Sequence, residues 1–289
     1  MHWTRYIPLM FVLLWSTGFT TAKFALPYIE PFTLLFIRML ITLVIFAGLV
    51  QWFRSAWPSP VQAFHQFVVG SLVHAAYLGG VFAAIKLDMP AGIASLIVGL
   101  QPILTAAISS LVFKSRLSKL QWTGLGLGLA GVSLVLLQRD NSGLSSMQTT
   151  VLIPILVALF GISIGTLYQK RFGQGVSLVS GSFFQYLGTA LWMGILSFGF
   201  ESRQIEWNFT LISALAWLVI VLSVVAILLL MKMIQEGETS KVASYFYLVP
   251  PVTALQGWFF FNEQLNLFAL AGIAITVLGV YLVIRTRPA

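Results

Sequence analysis

Long apolar stretches alternate with short links along this chain, and the links hold most of the charged and turn-forming residues. A helix rising 1.5 Å per residue needs about 20 mostly apolar residues to cross the hydrocarbon of a bilayer. Ten stretches meet that length: 6–26, 32–52, 64–85, 91–113, 120–138, 150–169, 176–199, 209–231, 242–261 and 267–284. The links between them are marked by Pro27 to Pro31, by Trp57, Pro58, Ser59 and Pro60, by Lys114 to Lys119, and by Arg139 to Gly143. None leaves room for a soluble domain. Inside hydrocarbon every backbone N–H and C=O must find a partner within its own segment, so each stretch is predicted to be a helix. The expected fold class is an all-α integral membrane protein with ten transmembrane helices.

The pattern occurs twice. An offset of 148 positions carries Phe113, Leu117, Gly124, Gly131 and Val132 onto Phe261, Leu265, Gly272, Gly279 and Val280. Upstream the register slips by one, and Ala94, Ser95 and Pro102 fall on Ala243, Ser244 and Pro251. Leu and Val matches carry little weight in apolar helices; the spaced glycines, the proline and the link leucine carry more. The chain therefore divides into a repeat over 1–140 and a second over 150–289. Five helices per repeat is an odd number, so consecutive copies enter the membrane in opposite senses. The expectation is two inverted five-helix repeats, an arrangement many transporters use for alternating access.

Composition narrows the class. Only 8% of the residues are charged and 58% are hydrophobic, against about 25% charged in ordinary soluble domains. The absence of cysteine excludes disulfides and thiolate chemistry. The three histidines, His2, His65 and His74, do not share metal-ligand spacing on one helix. With the N-terminus inside, Arg5, Arg54, Lys114, Arg116, Lys119, Lys170, Arg171, Lys232, Lys241, Arg285 and Arg287 fall on the inner side, whereas Lys23, Lys86, Arg139 and Arg203 fall outside. This asymmetry places both termini in the cytoplasm and accounts for the net charge of +8 without nucleic acid. The first apolar run carries Ser16, Thr17, Thr20, Thr21 and Lys23 and no A-x-A cleavage site, so it reads as a retained helix.

Several landmarks together resemble the drug/metabolite transporter superfamily, EamA type. Trp15 to Lys23 (WSTGFTTAK) is similar to the family's first-helix W-G-x-x-F-x-x-x-K. Pro31 followed by Arg38 resembles its second-helix P-x-x-x-x-x-x-R. Pro90 to Leu96, continuing to Pro102, is similar to the fourth helix, and Asn262, Glu263, Gln264 and Leu265 before Gly272 to the link into the last helix. Two positions depart from the pattern: Ser16 stands where Gly is common, and Ser115 where the link glutamate is expected. The resemblance implies ten helices, export of small metabolites and a bacterial inner membrane. It does not specify a substrate.

Charged and polar-tipped residues inside the apolar stretches are the candidate substrate residues. Arg38 lies about seven residues into the second stretch, roughly 10 Å deep. A charge at the bilayer centre costs about 2.5–3.5 kcal/mol at least, so Arg38 should face a wet cavity or a partner. It reads either as a clamp for a substrate carboxylate or as a tie to backbone carbonyls. Lys23, in the last turn of the first helix, either snorkels to the outer interface or contacts substrate. Lys86 beside Asp88 reads as a boundary charge. His74 and Tyr77 sit three apart on one face, as structural residues or cavity residues, with His74 the protonatable group if transport is proton-coupled. Trp15, Gln101, Tyr168, Gln185, Tyr245 and Tyr247 are polar-tipped groups that suit a cavity or helix packing. Gln101 precedes Pro102, where a helix can open, and Pro250 and Pro251 do the same in the second copy. Trp57, Trp122, Trp207 and Trp258 suit the interfacial belts, and Gly124 with Gly128 suits close helix approach.

All eight carboxylates fall in links or at helix ends, so the embedded charges are basic. That favours a substrate bearing a carboxylate. The expected function is a secondary transporter exporting amino acids or related small metabolites by alternating access through a central cavity. The alternative is a multidrug-type exporter of amphipathic cations held on aromatic faces. An intramembrane enzyme would need a nucleophile–base pair or a metal site, and the chain has no H-E-x-x-H, no paired membrane aspartates and no cysteine. No catalytic residue, metal or cofactor is expected. The expected partners are a small-molecule substrate and the lipid bilayer, not nucleic acid, with the chain a monomer or weak homodimer.

Overall fold

A computed structural model describes residues 6–113, 118–137, 149–227, 229, 248–263 and 267–285, and these are helical with short connections. The helices are α1 (Ile7–Ala25), α2 (Pro31–Trp52), α3 (Pro60–Gly70), α4 (Tyr77–Lys86), α5 (Ala91–Val98), α6 (Gln101–Phe113) and α7 (Lys119–Leu137). They continue as α8 (Thr149–Phe172), α9 (Leu178–Phe200), α10 (Phe209–Ala216), α11 (Val249–Phe261) and α12 (Leu267–Arg285). A π-helical segment, Ser71–Ala76, joins α3 to α4, and a second, Trp217–Ala226, continues α10. Each of the ten apolar stretches is found as helix over most of its described residues. Among the described residues six are long and apolar enough to cross a membrane, with Leu9–Ala25 and Leu267–Leu282 shorter.

Besides the two π-helical segments, two expected helices depart from the sequence limits. The stretch 91–113 is two helices with a break at Gly99 and Leu100. A proline ring collides with the carbonyl four residues before it, which for Pro102 is Val98, and α5 ends at Val98. The stretch 64–85 begins earlier, at Pro60, because Ser59 and Gln62 form a capping box: Gln62 N donates to Ser59 Oγ at 3.4 Å and Ser59 N to Gln62 Oε1 at 3.0 Å. Ser118 and Gln121 open α7 the same way.

The chain forms two compact units, one from 1–20, 88–153 and 226–289, the other from 21–87 and 154–225. Each draws helices from both halves of the sequence. In the first unit α7 and α12 pack along a seam of small residues. A Cβ on Gly279 would overlap the backbone of Gly124 and Gly128, and one on Gly131 would overlap Gly272 and Thr276, so the expected close approach at Gly124 and Gly128 is packing within this unit. The Glu263 carboxylate accepts from Ala91 N at 3.1 Å at the start of α5.

In the second unit α9 lies between α2 and α3. Glu201, just beyond α9, accepts from Phe32 N and Thr33 N, both at 2.7 Å, and thereby caps α2. At the same end Ser202 Oγ and Arg203 N donate to Glu30, and Glu206 N donates to Tyr28 O. Lys86, expected as a boundary charge beside Asp88, is exposed in the last turn of α4 and donates to Leu26 O at 2.6 Å, which ties α4 to the residue after α1. At the opposite end Ser180 Oγ donates to Ala56 O.

Candidate functional site

The site grows from the buried stripe of α2. Leu35, Arg38, Met39, Thr42 and Phe46 follow one another at helical spacing and are all buried. Arg38 is only 6% exposed, so its head cannot reach a membrane surface. Its Nε and Nη2 donate to Ser223 Oγ at 3.2 and 3.1 Å. Ser223 Oγ donates in turn to Leu218 O at 3.2 Å, five residues back, the spacing of a π helix. Thr42 Oγ1 donates to Arg38 O at 2.8 Å. Among the described residues no carboxylate pairs with this guanidinium. A hydroxyl oxygen is a weak partner for a buried cation; it supplies acceptance but no charge.

Around the guanidinium stand aromatic and amide groups. Tyr186 OH donates to Ser223 O at 3.4 Å, and its ring packs against Phe46 and stacks on His74 with centroids 5.1 Å apart and planes 22° from parallel. Tyr77, Tyr186 and His74 are within electrostatic reach of Arg38. His74 Nε2 lies 3.2 Å from Gln185 Oε1, and Gln185 Nε2 donates to Gln66 Oε1 at 2.7 Å. The seat is close-packed. A Cβ on Gly70 would collide with the carbonyl of Gln185, and Thr189 Oγ1 donates to both Gly70 O and Gln185 O.

Both π segments carry this site, and they are related in sequence. The upstream offset of 149 positions places 71–76 on 220–225, inside the second π segment, and His74 on Ser223. Each half of the chain thus widens its third apolar stretch at the same place and sets a polar side chain there.

Of the sequence candidates, Arg38, His74, Tyr77 and Gln185 are brought together. Tyr168 is not among them: its OH meets His65 Nδ1 at 2.8 Å, and it packs with His65 and Phe172 near the end of α8. Lys23 is half-buried in the last turn of α1. Trp15, whose ring lies 5.2 Å from Phe11, and Gln101, the first residue of α6, belong to the first unit. Tyr245 and Tyr247 lie outside the described residues, as do Ser115, Gln264 and Leu265. The sequence reading missed Ser223, Gln66, Tyr186 and Thr189. Gln66 was detectable as an amide inside an apolar stretch, and the structure buries it to 3% exposure; the other three have side chains common in membrane helices. No group of three or more potential metal ligands occurs among the described residues.

The EamA-like transporter family model matches residues 6–137 and again 149–285. The chain belongs to that family. Similar proteins include an uncharacterized transporter, YvbV, of Bacillus subtilis, 27% identical over 94% of this chain and 88% of its own length. Another is a probable amino-acid metabolite efflux pump of Salmonella typhimurium, 28% identical over 96% of this chain and 93% of its own length. An uncharacterized inner membrane transporter of Escherichia coli, YedA, is 26% identical over 75% of this chain and 69% of its own length. A crystal structure of a protein 21% identical superposes with a TM-score of 0.66, covering 96% of this chain and 95% of that one, and supports the fold. As an EamA-family transporter with apolar spanning helices, this is a multi-pass membrane protein.

Proposed function

We propose that this EamA-family chain is a secondary transporter, not an enzyme, exporting amino acids or related small metabolites that bear a carboxylate. The observation that carries the reading is Arg38, 6% exposed and held by a serine hydroxyl with no carboxylate partner among the described residues. A carboxylate offers the geometry and charge that Ser223 lacks. The Salmonella relative named as a probable amino-acid metabolite efflux pump supports the same substrate class. The sequence alternative, a multidrug-type exporter of cations, gains nothing from a site whose embedded charge is positive.

The proposed mechanism is alternating access by two inverted repeats, with both termini on the cytoplasmic side of an inner membrane, the chain acting as a monomer or weak homodimer. The inverted arrangement is supported by α2 and α9, the second helices of the two halves. Glu201, at the end of α9, caps the start of α2, so the equivalent helices run in opposite directions. The test is counterflow: purified protein in liposomes preloaded with one unlabelled amino acid at a time, with labelled uptake followed for wild type and Arg38→Ala. Hydrogen bonds to a charged group contribute about 1.5–3 kcal/mol, so the variant is expected to lose about ten- to a hundredfold in apparent affinity. Exchange of lipophilic cations instead, insensitive to Arg38→Ala, would overturn the proposal.

A further inference from the structure

An amide has one accepting end and one donating end, so a chain of amides has a direction. Gln185 Nε2 is committed to Gln66 Oε1 at 2.7 Å, which leaves Gln185 Oε1 facing His74 Nε2 at 3.2 Å. A carbonyl oxygen only accepts. With both amides oriented this way, Nε2 carries the proton, and in the neutral ring Nδ1 is then the acceptor. Nδ1 meets no partner among the described residues. The imidazole is held in plane by its stacking on Tyr186, and Gln185 is held by the tight backbone approach at Gly70.

We infer that Gln66 is a positioning residue: acting through Gln185, it fixes His74 as the Nε2–H tautomer and leaves Nδ1 as a hydrogen-bond acceptor on a ring stacked against Tyr186, which shares Ser223 with Arg38. The consequence for transport rests on the carboxylate-clamp reading. A substrate whose anionic oxygens sit on Arg38 gains a second contact at His74 only if it carries an N–H or O–H donor near that anion. A second anionic group at the same place would meet the lone pair of Nδ1 and be rejected. The tautomer itself is a property of the substrate-free protein and stands or falls independently of what is transported.

The chain has three histidines, which makes a direct test practical. Full-length protein labelled with 13C,15N-histidine is placed in bilayers at alkaline pH, and ring nitrogen shifts are read by solid-state NMR, with His74→Asn supplying the assignment. The expected spectrum has His74 protonated at Nε2 and bare at Nδ1. Gln66→Met removes the acceptor, frees the Gln185 amide to turn, and is expected to give a mixture of tautomers. Gln66→Glu restores an acceptor and with it the single Nε2–H form. In counterflow, Gln66→Met should lower exchange about two- to tenfold, the effect of one hydrogen bond, with Gln66→Glu recovering it. A wild-type ring protonated at Nδ1, or a Gln66→Met spectrum and exchange rate identical to wild type, would overturn the inference. The wild-type spectrum decides the tautomer even if Gln66→Met does not fold. If Arg38→Ala leaves exchange unchanged, the clamp fails while the tautomer still holds.

Discussion

Ser223 interrupts the run WLVIVLSVVA with a single hydroxyl, and the buried guanidinium of Arg38 is held by that oxygen. Replacing it by alanine leaves a desolvated cation with no side-chain acceptor. Ser223→Ala is expected to destabilise the protein by about 1–3 kcal/mol, read as an earlier thermal unfolding transition, while Ser223→Thr retains most of the stability. An unchanged transition in Ser223→Ala would show that water supplies the acceptor. Arg38, His74 and Gln185 were legible in the sequence because ionisable and amide groups are costly in hydrocarbon and need an explanation. Ser223 was not. A serine in a membrane helix ordinarily satisfies itself on a nearby carbonyl, as Ser16 does on Val12 O, and nothing local separates the two cases.

Two element ends that the apolar pattern did not mark have causes within a few residues. Pro102 ends α5 through Val98, and Ser59 with Gln62 starts α3. The cap of α2 has no such local cause. Glu30 occupies the N-cap but makes no side-chain cap bond, and the donors of Phe32 and Thr33 are taken by Glu201, about 170 residues away. Thr33 Oγ1 donates to the same carboxylate at 2.7 Å. Glu201→Ala removes all three contacts and is expected to cost about 1–3 kcal/mol. Glu201→Gln keeps one accepting oxygen and should cost less. A thermal scan of the pair checks the order, and equal transitions would remove the capping role. The two π segments escaped sequence reading altogether. An apolar run has the same composition whether its helix closes at i−4 or i−5; packing against neighbouring helices selects between them.

For the whole molecule, the sidedness of the links can be tested because the native chain has no cysteine. The proposed orientation puts residue 55 inside and residue 202 outside. Ser55→Cys should react with a membrane-impermeant maleimide only from the cytoplasmic face, and Ser202→Cys only from the outer face. Reversed labelling would reverse the assignment of both termini, and labelling of both from one face would remove the alternation of the helices. The hydrogen bonds within the second unit already group the links, joining Glu30 with Ser202 and Arg203 at one end and Ala56 with Ser180 at the other.

The apolar helices and the transporter family were legible in the sequence alone, and the expectation of a duplication came from it as well. Helix length against bilayer thickness is a local property, and spaced glycines and prolines survive as a repeat. Tertiary structure decided which polar groups meet. Arg38 and Ser223 are 185 positions apart, His74 and Gln185 are 111, and Gln66 and Gln185 are 119. Each of these side chains is out of place in hydrocarbon by itself, and composition shows only that it needs a partner. The choice of partner depends on how α2, α3 and α9 pack, and that packing is set by close backbone approach at positions such as Gly70, which the hydrophobic pattern does not encode.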